Sequence, residues 1–315
     1  MSVLDEAKDE RGSGGVSLTG GKSQKRDRVI KAILLMVALS SIFILLAISI
    51  FLFKEGVDIF KVVSIKDFLF GRYWYPTSDP PDFGIFPLIV ASIDVTLLAT
   101  LMAVPLGILT AIYIAECASS RIRQILKPLV ELIAAFPSVV IGFFGMVVVA
   151  PFLEKTFDIP TGLNLFNSAL MLAFMSVPTI CSLSEDAIYA VPKELKEASL
   201  ALGATHFETI VRVVIPASLS GISTAVILGM SRAIGETMVV LMVAGGATLI
   251  PSSIFDPVRP MPASIAAEMA EAPYGSAHYH ALFAIGIVLF LMTLVFNIVA
   301  DSISKRYRQV GAATL

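Results

Sequence analysis

Six long apolar runs, separated by short polar stretches, set the pattern of this chain, at roughly 33–53, 86–115, 129–153, 165–190, 219–250 and 281–300. Each reaches the roughly 20 apolar residues that a helix needs to cross a hydrocarbon core. Runs two to five are interrupted by Asp94, Pro105, Gly107, Pro137, Gly142, Pro178, Arg232 and Glu236. Helices of that kind are expected to pack against protein rather than face lipid all round. The first and last runs are cleaner and are expected at the periphery. The first follows a polar stretch and ends without a small-residue cleavage site, which favours a retained span over a signal peptide.

One polar stretch has a pattern of its own. Between runs four and five, Pro192 suits a helix start. Glu194 and Glu197 lie near its positive end, and Gly203 can supply a left-handed cap. Thr205-His206-Phe207-Glu208 reads as a capping box opening a second short helix, which Pro216 is expected to close. A connection needs no such structure. Two short helices between spans imply a surface built to be gripped.

Composition fits the pattern: 56% hydrophobic and 15% charged residues, mean hydropathy +0.85, net charge −2. The near-zero charge argues against a nucleic-acid partner. Cys117 and Cys181 stand apart, so neither a disulfide framework nor a metal knuckle is indicated. With the N-terminus placed in the cytoplasm, the inside segments hold 16 Lys and Arg against 6 outside, with Arg232 left in a span. That bias predicts six spans with both termini and the 192–216 insert cytoplasmic. Residues 1–30 are expected as a polar, disordered tail, 31–305 as the membrane domain and 306–315 as a short cytoplasmic tail.

Several motifs carry less. Gly20-Gly21-Lys22-Ser23 lacks the upstream glycine of a phosphate-binding loop and reads as flexible tail. His278 and His280 with Tyr279 form an interfacial polar-aromatic cluster rather than a metal site. Asp94 fits a helix cap, an interhelical hydrogen bond or a proton relay. Glu185, Asp186 and His206 offer no enzyme-like cluster.

Arg232 and Glu236 are different, because a charge at bilayer depth costs about 2.5–3.5 kcal/mol on insertion scales. At i and i+4 of one helix they are expected to share a face and to pair. A structural ion pair is one reading. A permeation site is the other: Arg offers a permanent charge and a planar fork of donors suited to an oxyanion. Glu236 would neutralise it when the path is empty or accept from a protonated oxyanion. Gly229 and Gly235 are expected to leave room beside the pair.

Glu197-Ala198-Ser199-Leu200-Ala201-Leu202-Gly203, followed by Ile215-Pro216, resembles the coupling loop of ABC importer permeases. The wider resemblance, over roughly 30–305, is to the PstC-type permease subunits of phosphate-specific transport systems. It rests on Val130-Glu131-Leu132, Phe136-Pro137-Ser138-Val139-Val140, Val177-Pro178-Thr179-Ile180 and Ser231-Arg232-Ala233-Ile234-Gly235-Glu236-Thr237-Met238. Phe255-Asp256-Pro257-Val258-Arg259 and Ala281-Leu282-Phe283-Ala284 add to it.

The resemblance implies an all-α integral membrane protein of the type I ABC importer permease fold, in a bacterial or archaeal cytoplasmic membrane. It implies a substrate pathway past Arg232, Glu236, Thr237 and Ser138, and ATPase coupling through Glu197, Ala198, Ser199, Leu202 and Gly203, with Leu195 and Leu202 as anchors. It implies no catalytic residue, metal or cofactor in this chain. ATP and Mg would belong to two PstB-like ATPases, beside a PstA-like second permease and a PstS-like phosphate-binding protein. Permeases for molybdate, tungstate or sulfate are the nearest alternative. A secondary transporter is the more distant one, since it would show paired repeats and need no docking loop.

Overall fold

The computed structural model describes residues 22–312, with side chains over 28–302. Residues 1–21 of the expected tail and 313–315 at the other end lie outside the described residues. Two compact units divide the chain at Phe51/Leu52. The first ends within helix α1 (Lys22–Val57), whose apolar side chains from Val29 to Phe51 are largely exposed. Helix thus begins at Lys22, inside the expected tail.

The second unit is helical apart from one short hairpin. A 3₁₀ turn and α2 (Ile65–Phe70) lead to β1 (Trp74–Tyr75) and β2 (Asp82–Phe83), paired antiparallel with Trp74 opposite Phe83. Then come α3 (Phe86–Ile112), α4 (Ser120–Ala134), α5 (Ser138–Phe144), α6 (Ala150–Phe157) and α7 (Leu165–Tyr189). The short α8 (Lys193–Ala201) and α9 (His206–Thr209) precede α10 (Ile215–Ile234), α11 (Met238–Val243), α12 (Met261–Glu268) and α13 (Ala277–Ala312). Among the described residues, six helical runs are long and apolar enough to cross a membrane: Arg28–Lys61, Phe86–Cys117, Ser138–Phe157, Leu165–Tyr189, His206–Ile234 and Ala277–Ser302.

α3 and α7 form the centre and run in the same direction, away from the hairpin. Small residues let them approach: Ala91, Ala99, Ala103 and Gly107 of α3 are buried, as are Ala169 and Ala173 of α7. A Cβ on Gly107 would come within 2.8 Å of Ile180. Lipid supplies no hydrophobic drive between helices, so this close backbone approach provides the packing. α10 runs antiparallel to α7, since Gly221 meets Ala187 and Gly229 meets Ile180. Gly229 therefore makes close packing rather than free space, and of the two glycines expected to leave room only Gly235 does.

Two expected spans are broken. The third run starts within the amphipathic α4, then holds a break at Ala135–Pro137, and only then the span from Ser138. Proline disfavours helical backbone in the residue before it, which explains the break. The fifth run does not continue to 250: α10 stops at Ile234, and α11 begins again at Met238. Pro216 does not close a helix either. It sits in the first turn of α10, two residues after the end of the π-helical turn Ile210–Val214, and His206–Ile234 is one helical run. A wider π turn changes which carbonyls meet which donors, so the proline's missing N–H is accommodated.

Candidate functional site

The two breaks lie at the same depth. α7 is 25 residues long, about 37 Å at 1.5 Å per residue, with its midpoint near Val177. Antiparallel packing of Gly229 on Ile180 places Arg232, three residues further along α10, level with that midpoint. A Cβ on Gly145 would meet Met171, so Ser138, two turns earlier on the antiparallel α5, falls at the same level. α5 and α11 lie side by side and parallel: Gly142 abuts Val239 and Met242, and Gly145 abuts Val243. Ser138 and the Glu236–Thr237 break thus start two neighbouring helices halfway through the bundle.

Within that level the expected Arg232–Glu236 pair does not form. Among the described residues, no ion pair within 4 Å includes Arg232, and its side chain is exposed. The i, i+4 rule presumes unbroken helix, and here the helix ends at Ile234, between the two residues. Glu236 takes another role. Its Oε1 accepts from the N–H groups of Met238 (3.1 Å) and Val239 (3.3 Å), capping α11. The Thr237 hydroxyl makes only a long bond, 3.4 Å, to the Gly235 carbonyl. Ser138 opens α5 behind Pro137 and is half-buried.

The 192–216 insert folds as two capped short helices. Pro192 is the extended residue before α8, and Gly203, at φ +86°, ends it. Gly203 N–H donates to Leu200 (3.0 Å) and Ala204 N–H to Ser199 (3.3 Å), the paired bonds of a Schellman cap. Thr205 and Glu208 form the reciprocal capping box. Leu202 is 90% exposed and Phe207 73% exposed, whereas Leu195 packs inward against the cluster that includes Ile114 and Val214. The apolar side chains that face outward are therefore Leu202 and Phe207, while Leu195, expected beside Leu202, faces the core. Glu197 and Ala198 are exposed, while Ser199 turns inward to share a 2.9 Å hydrogen bond with Thr209. Lys196 Nζ reaches Glu116 Oε1 at 2.5 Å, tying α8 to the end of the α3 run.

Two further networks brace the two ends. Glu185, 1% exposed near the end of α7, pairs with Arg123 and, at 2.6 Å, with Lys127 of α4. Lys127 also meets Asp186 at 2.7 Å, and Arg123 lies 3.9 Å over the Tyr189 ring. Hydrogen bonds to Asp186 and Glu185 hold the Lys127 ammonium above its ordinary pKa. At the hairpin end, Glu268 accepts from Trp74 Nε1 (3.1 Å) and Arg259 Nη1 (2.5 Å), and His278 Nε2 lies 2.8 Å away. Arg259 Nε donates to Gly246 at 2.8 Å, fixing the loop that leaves α11. Asp256 accepts from the Ser252 hydroxyl and the Ser252 and Ser253 N–H groups, which lower its pKa. His280 lies 2.9 Å from the Glu55 carbonyl. Among the described residues no cluster of three or more His, Cys, Asp or Glu could hold a metal.

Six runs able to cross a membrane, two breaks at one level and a capped polar insert between spans define a multi-pass membrane protein. The chain belongs to the family of binding-protein-dependent transport system inner membrane components, whose model matches residues 103–309. It is 40% identical over 275 residues to the probable ABC transporter permease protein YqgH of Bacillus subtilis, covering 87% of each chain. It is 36% identical over 252 residues to the phosphate transport system permease protein PstC of Mesorhizobium japonicum, covering 74% of this chain and 76% of that one. These similarities place it on the PstC-type branch of the family. The fold is that of a bacterial alginate ABC transporter solved with its pentasaccharide-bound periplasmic protein, at TM-score 0.65 and 18% identity, covering 90% of this chain and 96% of that one. The fold is therefore that of ABC importer permeases, and the protein is a multi-pass transport subunit of the bacterial inner membrane.

Proposed function

We propose that the chain forms half of the translocation pathway of an ATP-driven inorganic phosphate importer. The observation that carries this reading is Arg232 at mid-depth, without an ion-pair partner among the described residues, beside the breaks that hold Ser138, Glu236 and Thr237. A guanidinium with no carboxylate partner is free to take a dehydrated oxyanion through two parallel N–H bonds. Interrupted helices are where membrane transporters place such sites. Phosphate as the cargo comes from the name of the PstC relative.

The exposed insert, with Glu197, Ala198, Leu202, Gly203 and Phe207, would dock in a groove of an ATPase, which holds ATP and Mg. Force applied there has a direct route, because His206–Ile234 is one helical run with the insert at one end and Arg232 at the other. Lys196–Glu116 carries the same movement to α3. A PstA-like second permease would complete the pathway, two PstB-like ATPases would drive it, and a PstS-like protein would deliver phosphate. Both termini and the insert are cytoplasmic in this reading, on the strength of the Lys and Arg bias.

The test is uptake by proteoliposomes holding the four kinds of subunit and internal ATP. Labelled phosphate should accumulate only with ATP and binding protein, and excess molybdate, tungstate or sulfate should not compete. Competition by one of these, with poor phosphate uptake, would reassign the cargo.

A further inference from the structure

Asp94 is an acid in the α3 span that the transport reading does not use. It lies eight residues after Phe86, so the expected cap falls away: the residue before α3 is Ile85. No side-chain hydrogen bond or ion pair to Asp94 occurs among the described residues, and its side chain is only half-buried. It opens into a cavity of about 540 Å³ walled by Leu97 and Leu101 of α3, Leu165, and the loop with Ser252 and Ser253. Asp94 also lies outside the matched segment 103–309.

Depth and wall chemistry indicate what fills the cavity. Gly107 of α3 packs beside Val177, the midpoint of α7. Asp94 lies 13 residues before Gly107, about 20 Å along the helix toward the hairpin, against a hydrocarbon half-thickness of about 15 Å. The carboxylate thus lies just outside the hydrocarbon edge on the hairpin side, at the level where lipid headgroups meet their chains. Leu97 and the 72%-exposed Leu101 continue from it toward the bilayer centre.

We propose that this cavity is a binding site for a phospholipid with a primary ammonium headgroup. The ammonium pairs with Asp94, and one acyl chain lies along Leu97 and Leu101. An anionic headgroup would meet the carboxylate with like charge, and a trimethylated one would offer it no N–H donor.

The test is native mass spectrometry of the delipidated full chain in detergent, titrated with phosphatidylethanolamine, phosphatidylglycerol or phosphatidylcholine. One phosphatidylethanolamine should bind per chain at least about tenfold more tightly than phosphatidylglycerol, the scale of one charge-assisted hydrogen bond. Phosphatidylcholine should fall below phosphatidylethanolamine, and Asp94→Asn should abolish the preference. Equal binding of the three lipids to the parent chain, a comparison that needs no variant, would overturn the proposal. So would a preference that survives Asp94→Asn, or a basic side chain of a partner protein cross-linking to position 94 in the assembled complex.

Discussion

Truncating Leu202 or Phe207 should weaken ATPase binding and leave the permease itself intact. The two side chains are 90% and 73% exposed, so each holds most of its apolar surface in reserve for a partner. Full burial of a side chain of this size is worth about 1.5–3 kcal/mol. Taking about 2 kcal/mol, Leu202→Ala or Phe207→Ala should raise the ATPase Kd by about 30-fold. The double variant should reach several hundred-fold, or somewhat less if the two share a pocket. Thermal stability of either single variant should move by no more than about 0.5 kcal/mol, as for other exposed positions. Leu195→Ala should show the reverse: lost stability, because Leu195 packs on the core cluster that includes Ile114 and Val214, with a smaller change in affinity. The assay titrates labelled ATPase subunit into permease held in nanodiscs, with melting followed in parallel. Parent-like affinity in both Leu202→Ala and Phe207→Ala would refute the docking surface.

Three other outcomes are expected. Gly203→Ala meets no neighbour within 4 Å and pays only for its φ of +86°, about 1–2 kcal/mol, whereas Gly203→Pro also loses the N–H bond to Leu200; ATPase activity stimulated by the binding protein should fall in the first and vanish in the second. Glu236→Gln keeps a carbonyl to accept from Met238 and Val239 and should retain most uptake, while Glu236→Ala should lose the cap, about 1 kcal/mol, and most uptake with it; a Gln variant as inactive as the Ala variant would restore the counter-charge reading. Glu185→Ala leaves Arg123 and Lys127 without their buried partner and should cost about 3 kcal/mol by thermal melting. Because the Lys127 pKa is raised, its contribution is complete below the ordinary lysine value of 10.5 and is lost only as pH climbs through the raised one, so melting should not reflect this group between pH 6 and 9.

What could be read ahead of the structure was local. Thr205 with Glu208, and Gly203 at a helix end, are signals complete within a few residues, and both caps formed as expected. The spans were legible because length and apolarity suffice to define them. The break after Ile234 was not, since Met238 to Val243 is as apolar as the helix before it. Treating that run as one helix placed Arg232 and Glu236 on a shared face, and the error in continuity became an error in pairing. Pro137 did signal its break, but the apolar residues on both sides hid it. The Glu185 network was illegible for another reason: its partners Arg123 and Lys127 are 62 and 58 residues away, and only the packing of α4 on α7 unites them. Phe207 was passed over because the capping box explained its neighbours and left its own direction open.

The central claim is that Arg232 receives the oxyanion halfway across the membrane, and phosphate uptake by Arg232 variants in the reconstituted complex tests it most directly. Uptake should vanish in Arg232→Gln and be poor in Arg232→Lys, which keeps the charge but lacks the bidentate fork, with assembly and basal ATP hydrolysis retained. The double variant Arg232→Gln with Glu236→Gln should be as inactive as Arg232→Gln alone, because Glu236 caps α11 rather than balancing Arg232. Near-parental uptake by that double variant would contradict the account, make Arg232 a strut, and send phosphate by another path.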